Sequence, residues 1–363
     1  MKILFVIDDL RSGGAQRQMV ALAKGLKSAG HEVSVLFYYP HYYYADYLDK
    51  LSIKINCLHF QNPFKRIYKL GKAIRRARPH AVIAFMGVPS LIAELASLPW
   101  RNWILIAGER SADPKIMRSA KSRIIRYFHL LADHIVANSY ANIEIVKNVN
   151  PLLPKHKLKV IYNSIDLNEF RVDSNYIFKK NDVLRIIVTA SYRSLKNPIG
   201  LIEAVNLLDI ESKNKITIDW YGDRANNKEK IIERCEYLIS KYNLSNIIRF
   251  NDVRSDISIL IQDFDAVGLF SFFEGLPNSI CEGMACGKVI ISSLISDIPL
   301  LIREPSNGFL CDPHDIVSIS NALRKAIIST AEELKQIGNN NRLKAEQLFD
   351  NQNILRQYLR LIG

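Results

Sequence analysis

The feature that most constrains this chain is an alternation carried through once and then begun again. Short apolar runs rich in β-branched residues are separated by amphipathic helical segments. The first set of runs is KILFVI (2–7), HEVSVLFY (31–38), AVIAF (81–85), WILIA (103–107), HIVAN (134–138) and LKVIY (158–162). Helical patterns lie between them, notably 15–28, 64–77 and 115–131. Near-continuous apolar strands alternating with helices describe a parallel sheet covered on both faces. After a polar stretch at 164–182 the alternation restarts with LRIIVTA (184–190), TIDWYG (217–222), NIIRF (246–250), DAVGLF (265–270) and KVIISS (288–293), and helical segments close the chain. The fold expected is α/β, two Rossmann-like domains facing across a cleft. Residues 1–168 form the first domain and 183–345 the second, with 346–363 a C-terminal helix able to cross back to the first. Ligands of open α/β sheets bind beyond the carboxyl ends of the strands.

Composition narrows the partners. Of 363 residues, 48% are hydrophobic and 23% charged, an ordinary globular balance that argues against disorder. The five cysteines are scattered, with no CxxC pair, so they read as small buried hydrophobes in a reducing compartment. The apolar start is too short for a signal-peptide core, and Gly87, Pro89 and Pro99 break the apolar stretch 81–100. Residues 1–166 hold 25 Lys and Arg against 11 Asp and Glu, a net of +14, whereas the remainder holds 24 against 25. All of the excess positive charge therefore lies in one half, which suits a polyanionic surface.

The segment most specific for chemistry is FFEGLPNSICEGMACG (272–287), directly after a buried-strand pattern. Glu274 and Glu282 stand seven residues apart. Gly275 and Pro277 suit a tight strand-to-helix turn, with Pro277 near the first helical position. Asn278 and Ser279 then offer backbone N–H groups at a helix start, an anion site.

This segment resembles the E-x7-E signature of retaining, nucleotide-sugar-dependent glycosyltransferases of the GT-B fold, family 4 (glycosyl transferases group 1). The resemblance runs over nearly the whole chain: SGGAQRQ (12–18) is similar to the family's N-terminal glycine-rich loop, VIYNSID (160–166) to its approach to the interdomain linker, YRSLKNP (192–198) to its Arg…Lys diphosphate clamp, and WYGD (220–223) to its Gly-containing turn. It implies that Arg193 and Lys196 neutralise a departing diphosphate, as fixed cations and dipoles do where charge develops. It implies that Glu282 accepts hydrogen bonds from ribose, that Glu274 holds a hydroxyl of the transferred sugar, and that the Gly275–Leu276–Pro277 backbone cradles that sugar. Gly222 and Asn251–Asp252–Val253 are expected near the base, with Val253 touching it through its backbone. Gly13 and Gly14 would permit close approach of donor and acceptor, with Gln16 and Arg17 as acceptor contacts. Many family members carry a His near the reacting sugar. Here the matching segment is GERSADP (108–114), and Arg110 stands as the candidate catalytic residue beside Glu274.

Seven cations crowd 64–78 (Lys65, Arg66, Lys69, Lys72, Arg75, Arg76, Arg78), and 115–128 adds Lys115, Arg118, Lys121, Arg123 and Arg126. Anionic lipid is the expected partner of this surface. The six tyrosines of 38–47 suit sugar stacking, a headgroup layer or ordinary loop packing equally. The expectation is an enzyme that takes a nucleotide sugar, UDP-linked first and GDP-mannose next, to a polyprenyl-diphosphate-linked or other cell-surface glycan precursor. It would lie at the inner face of the cytoplasmic membrane, with no cofactor, no divalent metal and no nucleic acid. Three alternatives stand beside it: a GT-A enzyme using Asp263-Phe264-Asp265 as a metal-binding DxD, a GT-B-fold sugar-nucleotide 2-epimerase, and a nucleic-acid-binding protein.

Overall fold

A computed structural model describes residues 1–110, 115–224 and 230–363, and for Lys115 the backbone alone. The chain divides into two compact units, Met1–Ser164 with Asn351–Gly363, and Ile165–Asp350.

In the first unit seven parallel strands, β1 (Lys2–Val6), β2 (Glu32–Phe37), β3 (Lys54–Cys57), β4 (Ala81–Phe85), β5 (Ile104–Glu109), β6 (His134–Ala137) and β7 (Leu158–Val160), pair in the order β3-β2-β1-β4-β5-β6-β7. The chain starts mid-sheet, moves outward to β3 and returns beside β1 as β4, so its switch point lies between β1 and β4. Alternate residues bury on opposite faces because helices cover both. Ile3 and Phe5 join one core with Met19 and Leu22 of the helix Gly14–Ser28, while Leu4 and Val6 join another with Leu70 and Ile74 of the helix Pro63–Ala77. The last helix, Asn351–Ile362, belongs to this unit. Its Ile354, Leu355 and Tyr358 enter the same core as Met19 and Leu22.

The second unit repeats the plan with six parallel strands, β8 (Leu184–Thr189), β9 (Ile216–Gly222), β10 (Ile248–Asp252), β11 (Ala266–Leu269), β12 (Val289–Ser293) and β13 (Gly308–Cys311), in the order β10-β9-β8-β11-β12-β13. Its switch point falls between β8 and β11. One core gathers Leu184, Ile186 and Val188 of β8, Trp220, and the helices Pro198–Asn206 and Ile316–Ile328.

Three details depart from the sequence reading. Strands β3 and β13 were not anticipated: each has only four residues at a sheet edge, too few for a periodic signal. The helical stretch at 115–131 is broken. Lys115–Arg118 stops, Ser119 caps Ala120–Tyr127 by accepting from Ser122 N, and a 3-10 turn follows at Phe128–Leu131. Pro277 caps its helix rather than opening it. Among the described residues no helix is long and apolar enough to cross a membrane.

Candidate functional site

The loops that bracket the second unit's switch point carry the residues singled out by pattern. After β8 the chain makes a 3-10 turn, Ser194–Lys196, and Asn197 takes a left-handed conformation (φ 59°) that caps the helix Pro198–Asn206. Tyr192, buried, fixes the start of this loop. Its hydroxyl shares its one proton between Trp220 O (3.0 Å) and Asn251 O (2.7 Å), and its ring stacks on Trp220. Gly222, at the end of β9, is there for lack of space: a Cβ would lie 2.3 Å from Ala190 O. Its place in the site is thus to let the loop after β8 lie against β9. Val253 follows β10 and is exposed.

The loop after β11 runs against the loop after β8, with Phe272 N donating to Leu195 O at 3.0 Å. This brings Lys196 onto Glu274. The ammonium bonds to Glu274 Oε1, and Ser271 Oγ donates to the same oxygen at 2.8 Å. Both contacts fall on Oε1, and the other oxygen, Oε2, has no hydrogen-bond partner among the described residues. Arg193 is exposed on the same loop. Gly275 O accepts from Ser296 Oγ, which fixes the turn leading through Leu276 and Pro277.

The helix Asn278–Ala285 has no side-chain cap at Pro277, and its dipole puts the N–H groups of its first turn, those of Asn278 and Ser279 among them, at its positive pole. The helix is held deep. Gly283 lies so close to β11 that a Cβ would meet Val267 Cγ2 at 2.6 Å. Glu282 is consequently only 3% exposed. A carboxylate and an ammonium therefore meet at the carboxyl edge of a parallel sheet, on the loop that leads into a helix start, an arrangement suited to holding a diphosphate and polar hydroxyls together.

In the first unit Gly13 caps the helix Gly14–Ser28, and a Cβ on it would meet Gln16 Oε1 at 2.4 Å. The Gln16 side chain is buried and turned inward, its amide nitrogen donating to Asp9 Oδ1 (2.9 Å) and Asp8 Oδ1 (3.3 Å). Asp9 also receives the Arg11 guanidinium. Burial, and then the charge of Asp9, push the Asp8 carboxyl above its ordinary range. Arg17 is half-buried on the first turn. Gln18 ties this helix to the VIYNSID segment, exchanging bonds with Ser164 N (2.8 Å) and Ser164 O (3.0 Å).

Arg110 follows β5 and is locked within its own unit. Its guanidinium lies 4.6 Å from the centre of the Phe85 ring and donates to Asn163 Oδ1 (3.2 Å) and to the Tyr358 hydroxyl (2.5 Å) of the last helix. The remainder of that motif, 111–114, lies outside the described residues. Next to Arg110 is a buried charge network that no motif announced. His129 meets Glu94 Oε1 through Nδ1 (2.6 Å) and Glu109 Oε1 through Nε2 (3.0 Å), and Arg126 pairs with Glu109 Oε2 at 2.7 Å. Arg126, counted as a surface cation from sequence, is therefore interior.

The candidate DxD lies at the other end of β11. Asp265 is buried and accepts from Tyr176 Oη (2.9 Å), Lys179 N (2.8 Å) and Arg185 N (2.7 Å), so both of its oxygens hold protein donors.

Residues 12–169 match the profile of Glycosyltransferase Family 4, and residues 171–344 match Glycosyl transferases group 1. Together with the two parallel sheets, this places the chain in the group 1 glycosyltransferases of GT-B fold. The chain is 24% identical over 380 residues to the GalNAc-alpha-(1->4)-GalNAc-alpha-(1->3)-diNAcBac-PP-undecaprenol alpha-1,4-N-acetyl-D-galactosaminyltransferase of Campylobacter jejuni, covering all of this chain and 98% of that protein. It is 26% identical to the same organism's N,N'-diacetylbacillosaminyl-diphospho-undecaprenol alpha-1,3-N-acetylgalactosaminyltransferase, over 79% of each. Among solved structures, Anabaena Alr3699/HepE in complex with UDP superposes with a TM-score of 0.86 at 20% identity, over 99% of both chains. The protein is a glycosyltransferase.

Proposed function

We propose that the protein moves a sugar, an N-acetylhexosamine or hexose, from a nucleoside diphosphate donor, UDP-linked in the first instance, to a hydroxyl of a polyprenyl-diphosphate-linked glycan precursor. The observation that carries this is the Lys196–Glu274 pair at the carboxyl edge of the second sheet, on the loop that leads into the helix Asn278–Ala285, which bears Glu282. The relatives named above, by their names, act on undecaprenyl-diphosphate-linked sugars, which supports the acceptor class.

In this reaction the bond from the anomeric carbon to the β-phosphate oxygen breaks, and the electron pair leaves with the diphosphate. Arg193, Lys196 and the N–H groups of Asn278 and Ser279 stabilise that growing charge, which makes a divalent metal unnecessary. Glu282 accepts from the ribose hydroxyls. Glu274 Oε2 accepts from a hydroxyl of the sugar, and its charge favours the oxocarbenium-like transition state. The acceptor oxygen bonds to the same face of the anomeric carbon and passes its proton to the leaving phosphate oxygen, so configuration is retained. The first unit serves the acceptor, with Arg17 and Arg110 as its candidate contacts, and Gly13 and Gly14 permit close approach of donor and acceptor.

A test is turnover of a panel of UDP- and GDP-sugars with a polyprenyl-diphosphate glycan in excess chelator, the anomeric configuration of the product being read by NMR. Loss of activity on chelation or an inverted product overturns those parts of the reading. Glu282→Ala is expected to weaken nucleotide-sugar binding by roughly 10- to 100-fold, the range of a lost hydrogen-bonded charge, with the fold intact. Wild-type affinity in that variant removes Glu282 from the donor site.

The acceptor also implies a membrane. On the helix Pro63–Ala77, Arg66 and Arg75 are internal braces: Arg66 packs over the Tyr38 and Tyr39 rings, and Arg75 bonds to Leu98 O. Lys65, Lys69, Lys72 and Arg76 project outward beside Phe64 (83% exposed) and Tyr68 (64%). Cations interleaved with exposed aromatic rings suit an anionic headgroup layer at the cytoplasmic membrane surface. Flotation with vesicles containing phosphatidylglycerol is expected to fall on replacing those four cations by Gln, and to fall with added salt. Equal binding to neutral vesicles contradicts the assignment.

A further inference from the structure

Lys196 and Glu274, assigned above to opposite parts of the donor, are bonded to each other. Each is about four-fifths shielded from solvent, with side-chain exposures of 19% and 15%. The pair is part of the second unit's site and needs nothing from elsewhere. A diphosphate that claims Lys196 takes the cation away from Glu274. What becomes of that carboxylate depends on what the ligand brings with it.

We infer that the Lys196–Glu274 pair makes the site discriminate an intact nucleotide sugar from the nucleoside diphosphate it leaves behind. This rests on the donor-site reading above. A nucleotide sugar exchanges both partners at once: its β-phosphate takes the ammonium, and a sugar hydroxyl donates to Glu274. Ser271 keeps its own hydrogen bond to Oε1 throughout. A free nucleoside diphosphate takes the ammonium and gives Glu274 nothing. The carboxylate is then left shielded from water and opposite an anion, which is costly. Once the sugar has gone, Glu274 therefore competes with the product for Lys196 and helps to expel it. Glu274 is thus a specificity determinant for substrate over product, and Ser271 is the residue that positions it.

Three ligands and two substitutions test this by calorimetry. Glu274→Gln keeps the size and the Ser271 hydrogen bond but removes the charge. It is expected to tighten the binding of UDP by about tenfold, the scale of coupling between groups in contact. It should leave uridine, which has no phosphate for Lys196, unchanged, and UDP-sugar unchanged or weaker. On a Lys196→Met background the same Glu274→Gln change is expected to tighten UDP much less, since only the repulsion between carboxylate and diphosphate is then relieved. If Glu274→Gln leaves UDP binding equal or weaker, tightens uridine as much as UDP, or acts undiminished without Lys196, the inference is wrong while the donor site stands. If neither UDP nor GDP binds the wild-type protein, the donor-site reading itself falls and takes this inference with it.

Discussion

Replacing both Arg193 and Lys196 by alanine is expected to reduce kcat by at least 10²- to 10³-fold, the range seen when a single preorganised donor to developing charge is removed. The leaving diphosphate gains negative charge as the glycosidic bond stretches, so a fixed cation helps more at the transition state than in the bound donor. The two side chains are unequal in placement. Lys196 is held by the 3-10 turn 194–196 and by Glu274, so its ammonium is positioned before the donor arrives. Arg193 is exposed and must order on binding. Lys196→Ala alone should therefore account for most of the loss, with Arg193→Ala smaller and expressed partly in KM. Single-turnover rates at saturating donor separate these contributions. Wild-type rates in the double variant contradict the clamp, and a change in KM with kcat intact shows that the two cations bind the ground state and transition state alike.

How far the sequence discloses this site follows from where its signals are local. Two parallel sheets are written in runs such as AVIAF and LRIIVTA, because a strand buried on both faces must be apolar at every position. Strand β3, KINC, carries no such run because it is an edge with one partner, and its inward positions are only half-buried. The loop residues Arg193, Lys196, Glu274 and Glu282 were readable because one turn or helix fixes each pair in spacing. What sequence could not supply is that Lys196 would meet Glu274, since that depends on β8 and β11 being neighbours across the switch point. Ser271 and Tyr192 carry no signal at all: a serine before a glutamate and a tyrosine after a strand are common, and only their partners give them roles. Gln16 was read as facing an acceptor, yet its amide turns back to Asp8 and Asp9, two acidic residues on the loop that the glycine pattern overshadowed.

Replacing His129 by leucine is expected to destabilise the first unit by about 3–5 kcal/mol, the cost of breaking a buried charge network by removing one partner. The reason is the number of charges it joins. Glu94 comes from the helix Gly87–Ala96, Glu109 ends β5, and Arg126 comes from the helix Ala120–Tyr127, so three elements meet on one imidazole and one guanidinium. Burial alone would lower the His129 pKa. The Glu94 and Glu109 carboxylates outweigh it and push it up to about 10, and burial of Glu109 is likewise outweighed by its bonds to His129 and Arg126, which hold it below the ordinary carboxylate range. The sign of the pH dependence follows. A histidine whose pKa is raised on folding gives its full stabilisation below its unfolded value, near 6.5, and loses it progressively as the pH climbs toward about 10. Wild-type stability should therefore fall across that window relative to His129→Gln, by about 1.4 kcal/mol per pH unit at its steepest. Urea unfolding of the two proteins at a series of pH values reads this difference directly. A difference that stays constant with pH shows that His129 is buried as the neutral ring.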